Sequence, residues 1–218
     1  MAIIKVKNLS FRAGKDTIVD NVSLELRKGE LVFLQGPSGS GKSTVLKLIA
    51  DLLPPSEGEL FYKGQNYQSL EPVELRKQVT YCFQDAYLFG ERVIDNLAFP
   101  YQIRKQKPDL QKMRHALREF GLAEELLEQN VSTLSGGEKQ RIALIRSLLF
   151  DPEVLLLDEI TSALDPESTA LTESIIAERC RKGCSALWIS HDPEQAERLG
   201  ERILQMKAGR LAGEEEVL

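Results

Sequence analysis

The stretch GPSGSGKST at residues 36–44 limits what this chain can fold into more than any other part of it. Gly36, Gly39 and Gly41 remove side chains at three points, so the backbone can take positive φ angles and turn its N–H groups toward one centre. Such a loop is a nest for an anion. LVFLQ at 31–35, just before it, is a short apolar run that reads as a strand, and STVLKLIAD at 43–51, just after it, has the 3.6-residue apolar spacing of a helix. In a strand–loop–helix setting the helix N-terminus adds unpaired N–H groups and its positive dipole end. Gly36, Pro37, Ser38, Gly39, Ser40, Gly41, Lys42, Ser43 and Thr44 are therefore expected to cradle the phosphates of a nucleoside triphosphate. Lys42 would reach the β- and γ-phosphates, and the hydroxyl of Ser43 would ligate Mg²⁺. The rival reading is a Gly/Ser linker that happens to contain a lysine, and it leaves the flanking strand and helix unexplained.

A chain of 218 residues can bury one sizeable core with a subdomain inserted in it, and is too short for two such units. Its 42% hydrophobic and 28% charged content is ordinary for a folded protein. A net charge of −5 supplies no general attraction to nucleic acid, so no nucleic-acid partner is expected, although a local basic patch stays open. The longest apolar runs, LVFL at 31–34 and VLLL at 154–157, are far short of the roughly 20 residues needed to cross a bilayer. The opening MAIIKVKNLS alternates like a strand and lacks the apolar core of a signal peptide, which predicts a cytoplasmic protein. Cys82, Cys180 and Cys184 lack paired C-x-x-C spacing and read as reduced structural thiols.

IIKVKNLSF, VSLELR and LVFLQ, separated by the turn signals AGKD and RKGE, predict strands, and a small antiparallel sheet beside the phosphate loop fits them. GELFYKG and QVTYCFQ predict two more. From about 86 to 150 the pattern turns helical, with DLQKMRHALREFGL and GGEKQRIALIRSLLF both carrying apolar residues at i, i+3 and i+4. That span is expected to be an inserted helical subdomain, with 1–85 and 151–218 forming the catalytic α/β core. VLLL, a helix over PESTALTESIIAERCRK, the strand SALWIS, a helix over PEQAERLG and two closing strands, RILQMK and GRLAGE, follow. Strands alternating with helices imply a parallel sheet covered on both faces. The acidic GEEEVL ending reads as a solvated tail.

VLLLDE at 154–159 ends a buried strand in two carboxylates. On an extended chain successive side chains point to opposite sides, so Asp158 and Glu159 are free to take separate jobs. Asp158 is expected to bind Mg²⁺ through its water shell, and Glu159 to orient or deprotonate the attacking water. The alternative is a strand that merely ends in two solvated acids. LSGGEKQR at 134–141 is a second glycine-rich turn opening a helix, and one nucleotide hardly needs two such ends. Read alone, it is an ordinary helix cap.

Together these motifs resemble those of the ATP-binding-cassette (ABC) ATPases, and the resemblance runs over essentially the whole chain. It implies an α/β P-loop NTPase fold with a RecA-like parallel-sheet core, a small antiparallel β subdomain and an inserted α-helical subdomain. It also implies that the cofactors are ATP and Mg²⁺. LSGGE looks like the family signature, which caps the γ-phosphate of ATP held on the opposite subunit, so Ser135, Gly136 and Gly137 would act in trans in a homodimer formed in the ATP state. Gln84 in YCFQD matches the glutamine that links γ-phosphate and metal to the helical subdomain. SALD, with Asp165, matches a loop along the dimer seam, and His191 in WISHD matches the histidine that contacts the γ-phosphate; a lone histidine is otherwise most often structural.

Two positions depart from the family pattern. Where many members carry an adenine-stacking aromatic this chain has Ala13, with Phe11 two residues earlier as either the base contact or a core strand residue; modest ATP over GTP discrimination follows. DEITSALD also has Ile160 where proline is common. YCFQDAYLFG, DNLAFPYQIR and LSGGEKQRIALIRSLLFDPEVLLLDEITSALD are similar to the FetA/YbbL-type iron-exporter ATP-binding subunits. That likeness implies an integral membrane permease partner of the FetB/YbbM type and a peripheral position on the cytoplasmic face of the inner (plasma) membrane. Tyr87, Leu88 and Phe89 would flank the docking groove for it or simply pack in the core. The other class is a soluble ABC ATPase acting on ribosomes or DNA. Chromosome-type members insert long coiled coils between phosphate loop and signature, whereas only residues 43–134 separate Lys42 from Ser135.

Overall fold

Apolar residues on alternating positions of the first two strands bury one face each, and the chain turns back on itself between them at Gly14 and Lys15. β1 (Ala2–Ala13) and β2 (Asp16–Arg27) form that antiparallel pair, from Ala2 against Arg27 to Ala13 against Asp16, with shifts of register along the way. The computed structural model describes residues 1–216. β3 (Leu31–Gln35), α1 (Lys42–Ile49), β4 (Glu57–Tyr62), β5 (Gln65–Asn66), α2 (Pro72–Gln78) and β6 (Val79–Cys82) follow. Next come α3 (Val93–Ile103), α4 (Leu110–Glu119), α5 (Gly136–Leu148) and β7 (Val154–Asp158). The last elements are α6 (Pro166–Arg181), β8 (Ser185–Ile189), α7 (Pro193–Leu199), β9 (Arg202–Lys207) and β10 (Arg210–Glu216).

The strands make two sheets, one of four in the order β2-β1-β4-β5 and one of six in the order β10-β9-β3-β8-β7-β6. The first is antiparallel throughout. In the second, β3 runs parallel to β8 and β9, and β7 runs parallel to β8, while β10 closes one edge antiparallel to β9. β7 and β8 are buried at every residue, as continuous apolar runs in a sheet covered on both faces should be. Phe33 of β3 and Trp188 of β8 stack with ring centroids 5.4 Å apart. In an open α/β sheet ligands gather outside the carboxyl ends of such strands. The carboxyl ends of the three neighbours β3, β8 and β7 carry, in that spatial order, the phosphate loop, His191 and the Asp158–Glu159 pair.

The chain divides into two compact units, residues 1–81, 152–159 and 177–218 in one and residues 82–151 and 160–176 in the other. The second is helical around a core of its own. On α4, Met113, Ala116 and Leu117 are buried at i, i+3 and i+4 with Phe120 one turn on, and Asp109 caps the helix by accepting the N–H groups of Gln111 and Lys112, both at 3.0 Å.

At the end of the chain, Gly213 to Glu216 pair with β9 from Gln205 back to Arg202, so the backbone of the acidic ending extends the sheet edge. Residues 210–212 begin that strand, so the ladder carries the glutamates along with it; Val217 and Leu218 lie outside the described residues. The three cysteines are free thiols, and burial pushes that of Cys180 up to about 12.

Candidate nucleotide site

The loop after β3 takes the shape its glycines permit. Gly36 has φ 143, and a Cβ there would sit 2.0 Å from the Met206 carbonyl oxygen; Gly41 has φ 98, and a Cβ there would sit 2.6 Å from the Ile18 carbonyl oxygen. At both points the main chain passes too close to another strand for any side chain. Within the turn the Ser40 N–H donates to the Pro37 carbonyl at 3.2 Å, and the Gly209 N–H donates to the Ser40 carbonyl at 3.0 Å, fixing the loop to the end of β9. The Ser40 hydroxyl is buried and has no hydrogen-bond partner among the described residues. A buried donor of that kind is costly unless something polar completes it, which a phosphate oxygen would do.

Gly41 is also the N-cap of α1, and no side chain caps this helix or supplies an acid to its first turn. Lys42, 5% exposed, folds back over the loop and donates from Nζ to the Gly36 carbonyl at 2.7 Å and the Pro37 carbonyl at 3.0 Å. Burial pulls its ammonium below the usual lysine range, opposed by the carboxylates of Glu159 and Asp158. A buried cation, the buried hydroxyl of Ser40 and an uncapped helix start therefore belong to one loop.

Asp158, at the last position of β7, is buried and held from two sides. The Ser43 hydroxyl donates to Oδ1 at 3.0 Å, and the Tyr81 hydroxyl of β6 donates to Oδ2. A hydroxyl in the first turn of α1 and a carboxylate at the end of β7 are the hard oxygen donors that suit Mg²⁺, which would keep its remaining positions for phosphate and water. Tyr81 was not singled out by the motifs. The alternation of QVTYC marks it as inward-facing, yet nothing in the sequence says that its hydroxyl meets the carboxylate of Asp158 at the end of β7.

Glu159 does separate from Asp158, for a reason other than strand alternation. The strand stops at Asp158, and Glu159 has φ 50, so a left-handed residue turns its side chain away while its N–H still donates to the Ile189 carbonyl at 3.1 Å. A positive φ on a non-glycine residue is a strained choice held by its surroundings. The result places Glu159 Oε1 2.8 Å from Nε2 of His191, which stands exposed just past the end of β8. Phosphate loop, Ser43–Asp158 pair and Glu159–His191 pair all belong to the first unit.

The other motif residues belong to the second unit. Ser135 is the N-cap of α5: its hydroxyl lies 2.8 Å from Glu138 Oε2 and 3.3 Å from the Glu138 N–H, and its own N–H donates to Glu138 Oε2 at 2.8 Å. This is a capping box, and the Ser135 N–H holds the Glu138 carboxyl below its ordinary range. A Cβ on Gly136 would meet no heavy atom within 4 Å, and one on Gly137 only the Leu164 side chain at 3.8 Å. Asp165 accepts the Ser168 N–H at 2.9 Å at the start of α6. Gln84 is exposed beyond β6. In the first unit Phe11 is half-buried against the hydrophobic core, with Ala13 exposed. Of the apolar cluster after Gln84, Tyr87 is 76% exposed, whereas Leu88 and Phe89 are half-buried and Phe89 packs edge-on against Phe99.

Among the described residues no helix is long and apolar enough to cross a membrane. Residues 19–162 match the family model described as "ABC transporter". The chain is 43% identical over 211 residues to the "Probable iron export ATP-binding protein FetA" of Escherichia coli K12, covering 96% of this chain and 94% of FetA. It is 36% identical over 211 residues to the "Tungstate uptake system ATP-binding protein TupC" of Peptoclostridium acidaminophilum, covering 95% and 96%. Among solved structures, the cassette MJ0796, in a dimeric post-hydrolysis state bound to ADP and Pi, superposes with a TM-score of 0.88 at 29% identity over 99% of both chains. An "ATP binding subunit of ABC transporter" superposes at 0.90 and 26% identity over 99% of this chain and 90% of that one. With these likenesses over nearly its full length, this chain belongs to the ATP-binding subunits of the ABC transporter family.

Proposed function

We propose that this chain is the ATP-hydrolysing subunit of a membrane ABC transporter that exports a metal, iron in the first place, through a FetB/YbbM-like integral membrane permease at the cytoplasmic face of the inner membrane. The likeness to FetA supports the cargo and the direction. TupC, an uptake protein, is the counterweight. The observation that carries the ATPase reading is the convergence in one unit of Lys42, the 3.0 Å Ser43–Asp158 pair and the 2.8 Å Glu159–His191 pair.

In this reading Gly36, Pro37, Ser38, Gly39, Ser40, Gly41 and Thr44 surround the phosphates with N–H and hydroxyl donors, and Lys42 leaves the carbonyls of Gly36 and Pro37 for the γ-phosphate. Ser43 and Asp158, with Gln84, would hold Mg²⁺, which would supply charge neutralisation for the phosphate oxygens. Glu159 orients the attacking water and takes its proton as the bond to the leaving ADP breaks. His191 holds Glu159 in place through Oε1 and turns its other face to the γ-phosphate. Phe11 supplies what contact the adenine receives. Ser135, Gly136 and Gly137 of a second copy close the far side of the nucleotide, with Asp165 along the seam. Residues 86–150 serve as the helical subdomain, with 1–85 and 151–218 as the catalytic core. ATP shifts the open–closed equilibrium by its differential affinity for the closed homodimer.

The test is gel filtration of Glu159→Gln with ATP and Mg²⁺. A dimer that accumulates with ATP, with turnover down about 100-fold or more, is the expected result. A protein that stays monomeric and hydrolyses at the parent rate defeats it. Co-purification with a multi-helix membrane protein, and loss of iron efflux on deletion of either gene, checks partner and cargo; association with ribosomes instead would move the protein to the soluble class.

A further inference from the structure

Asn96 on α3 is fully buried, and every polar group of its amide is engaged. Oδ1 accepts the Phe89 N–H at 3.1 Å and Arg146 Nη1 at 2.8 Å, while Nδ2 donates to the Phe89 carbonyl at 2.7 Å and the Arg92 carbonyl at 3.4 Å. One side chain thus grips both main-chain groups of Phe89. Arg146, on α5, extends the grip: Nη2 donates to the Tyr87 carbonyl at 3.0 Å, and the guanidinium lies 5.2 Å from the centroid of the Phe89 ring. The return into α3 is equally fixed. Gly90 has φ 71, and a Cβ there would lie 2.7 Å from Cβ of Asp95, whose carboxylate accepts the N–H groups of Glu91 at 3.0 Å and Arg92 at 2.9 Å.

Arg146 lies about three turns beyond Ser135 on the same helix, roughly 16 Å along the axis. At one end of that rod Ser135 is exposed; at the other the guanidinium holds the carbonyl of Tyr87, itself 76% exposed. A residue that only filled the interior would need no fork reaching the main chain of a surface segment. A lysine offers a compact point charge on a flexible stem where Arg146 offers two N–H groups at a fixed angle, so it does not reproduce the planar fork that meets Asn96 and Tyr87 together.

We propose that Arg146 is a positioning residue, the clamp that makes α5 and the 87–92 segment one rigid body, so that a load on the Ser135 end of α5 is delivered to the surface around Tyr87. This rests on the reading of Ser135 as half of an ATP site, and it names the side chains that carry the change onward. Asn96 is the pivot: it faces Arg146, Phe89 and Arg92, and without it Arg146 Nη1 and both main-chain groups of Phe89 lose their shared partner while Nη2 keeps the Tyr87 carbonyl.

The test is hydrogen exchange on the full chain, comparing Arg146→Lys with the parent in peptides covering 84–92 and 135–142. Without nucleotide, the lysine variant should exchange about tenfold faster or more over 84–92 while 31–35 and 154–158 keep their protection. With ATP and Mg²⁺ in a Glu159→Gln background, the parent should slow at both peptides and the lysine variant only at 135–142. Unchanged exchange over 84–92 without nucleotide, or equal ATP protection there in both proteins, overturns the clamp. A parent that gains no protection at 135–142 with ATP counts against the half-site reading, and the nucleotide-free comparison then decides the clamp by itself. Should Arg146→Lys fail to fold, Asn96→Asp keeps the acceptor for Arg146 and the Phe89 N–H but loses the donation to the Phe89 carbonyl, and its exchange over 84–92 should rise by a smaller factor.

Discussion

α1 and α5 both open on glycine-rich turns, and their first residues are treated in opposite ways. α1 starts at a left-handed Gly41, with no capping side chain, no acid in its first turn, and Lys42 and Ser43 at the mouth. α5 starts at Ser135, whose hydroxyl and N–H are both tied to the carboxylate of Glu138. A helix start carries about half a positive charge and several orphan N–H groups. α5 answers both within its own first turn, whereas α1 leaves them to be answered by an anion from outside. Two stretches that look alike as strings of glycine and serine are therefore unlike as sites. The first leaves its donors open, and the second closes its own start before any ligand arrives; in the reading proposed above, the first would bind phosphate by itself and the second would present Ser135 and Gly137 to a nucleotide brought to it.

The sharpest way to break this contrast is to remove the charge from one end and the hydroxyl from the other. Lys42→Ala should weaken ATP binding to the isolated chain by about 100-fold or more, since a buried charge-assisted contact to phosphate is worth roughly 3 kcal/mol. Ser135→Ala should leave the same constant within about threefold, because its end of α5 is already complete without nucleotide. Calorimetric titration of both variants reads this directly, and equal losses would mean that the two ends are not different in kind.

Glycine substitutions probe the same asymmetry through stability. Gly41→Ala puts a Cβ 2.6 Å from a carbonyl oxygen at φ 98 and should cost about 2–3 kcal/mol. Gly136→Ala meets open space in the first turn of a helix and should change stability by between nothing and a gain of about 1 kcal/mol. Urea midpoints of the two variants check it, and a Gly136→Ala as damaging as Gly41→Ala would show that the signature turn carries a constraint its geometry does not contain.

What could be read in the residues divides along the same line. The phosphate loop, β7 and β8 were legible because each couples a local conformation to an unbroken apolar run. α2 was not anticipated, since its seven residues bury only Leu75 and show no stripe. α3 went unmarked as a separate helix because Pro100 lies inside it and reads as a breaker. The paired β5 is two residues long and has no period to detect. In the site, residue types announced Lys42, Ser43, Asp158 and Glu159, but the 3.0 Å contact of Ser43 with Asp158 depends on β3 and β7 lying two strands apart in an order that the chain does not follow. Tyr81, Asn96 and Arg146 were silent for a related reason. A tyrosine in a strand, an asparagine in a helix and one arginine among many acquire meaning only from the atoms that folding brings to them.

The smallest expected effect sharpens the comparison furthest, because it asks whether charge or only shape seals the start of α5. Glu138 is held below its ordinary value of 4.5, first by the Ser135 N–H and then by the Ser135 hydroxyl. A depressed carboxyl contributes stability that is fully present above the unfolded value and is lost as pH falls through the folded one. Glu138→Gln keeps an acceptor for the Ser135 N–H but has no charge to set against the helix dipole. At pH 7 it should therefore be less stable than the parent by about 0.5–1 kcal/mol, read from urea midpoints. As pH drops below 4.5 the gap should close, since the parent's Glu138 becomes neutral too. A gap that persists unchanged at pH 3 would mean that geometry alone closes α5, and the electrostatic difference between the two helix starts would then have to be carried by Lys42 and not by Glu138.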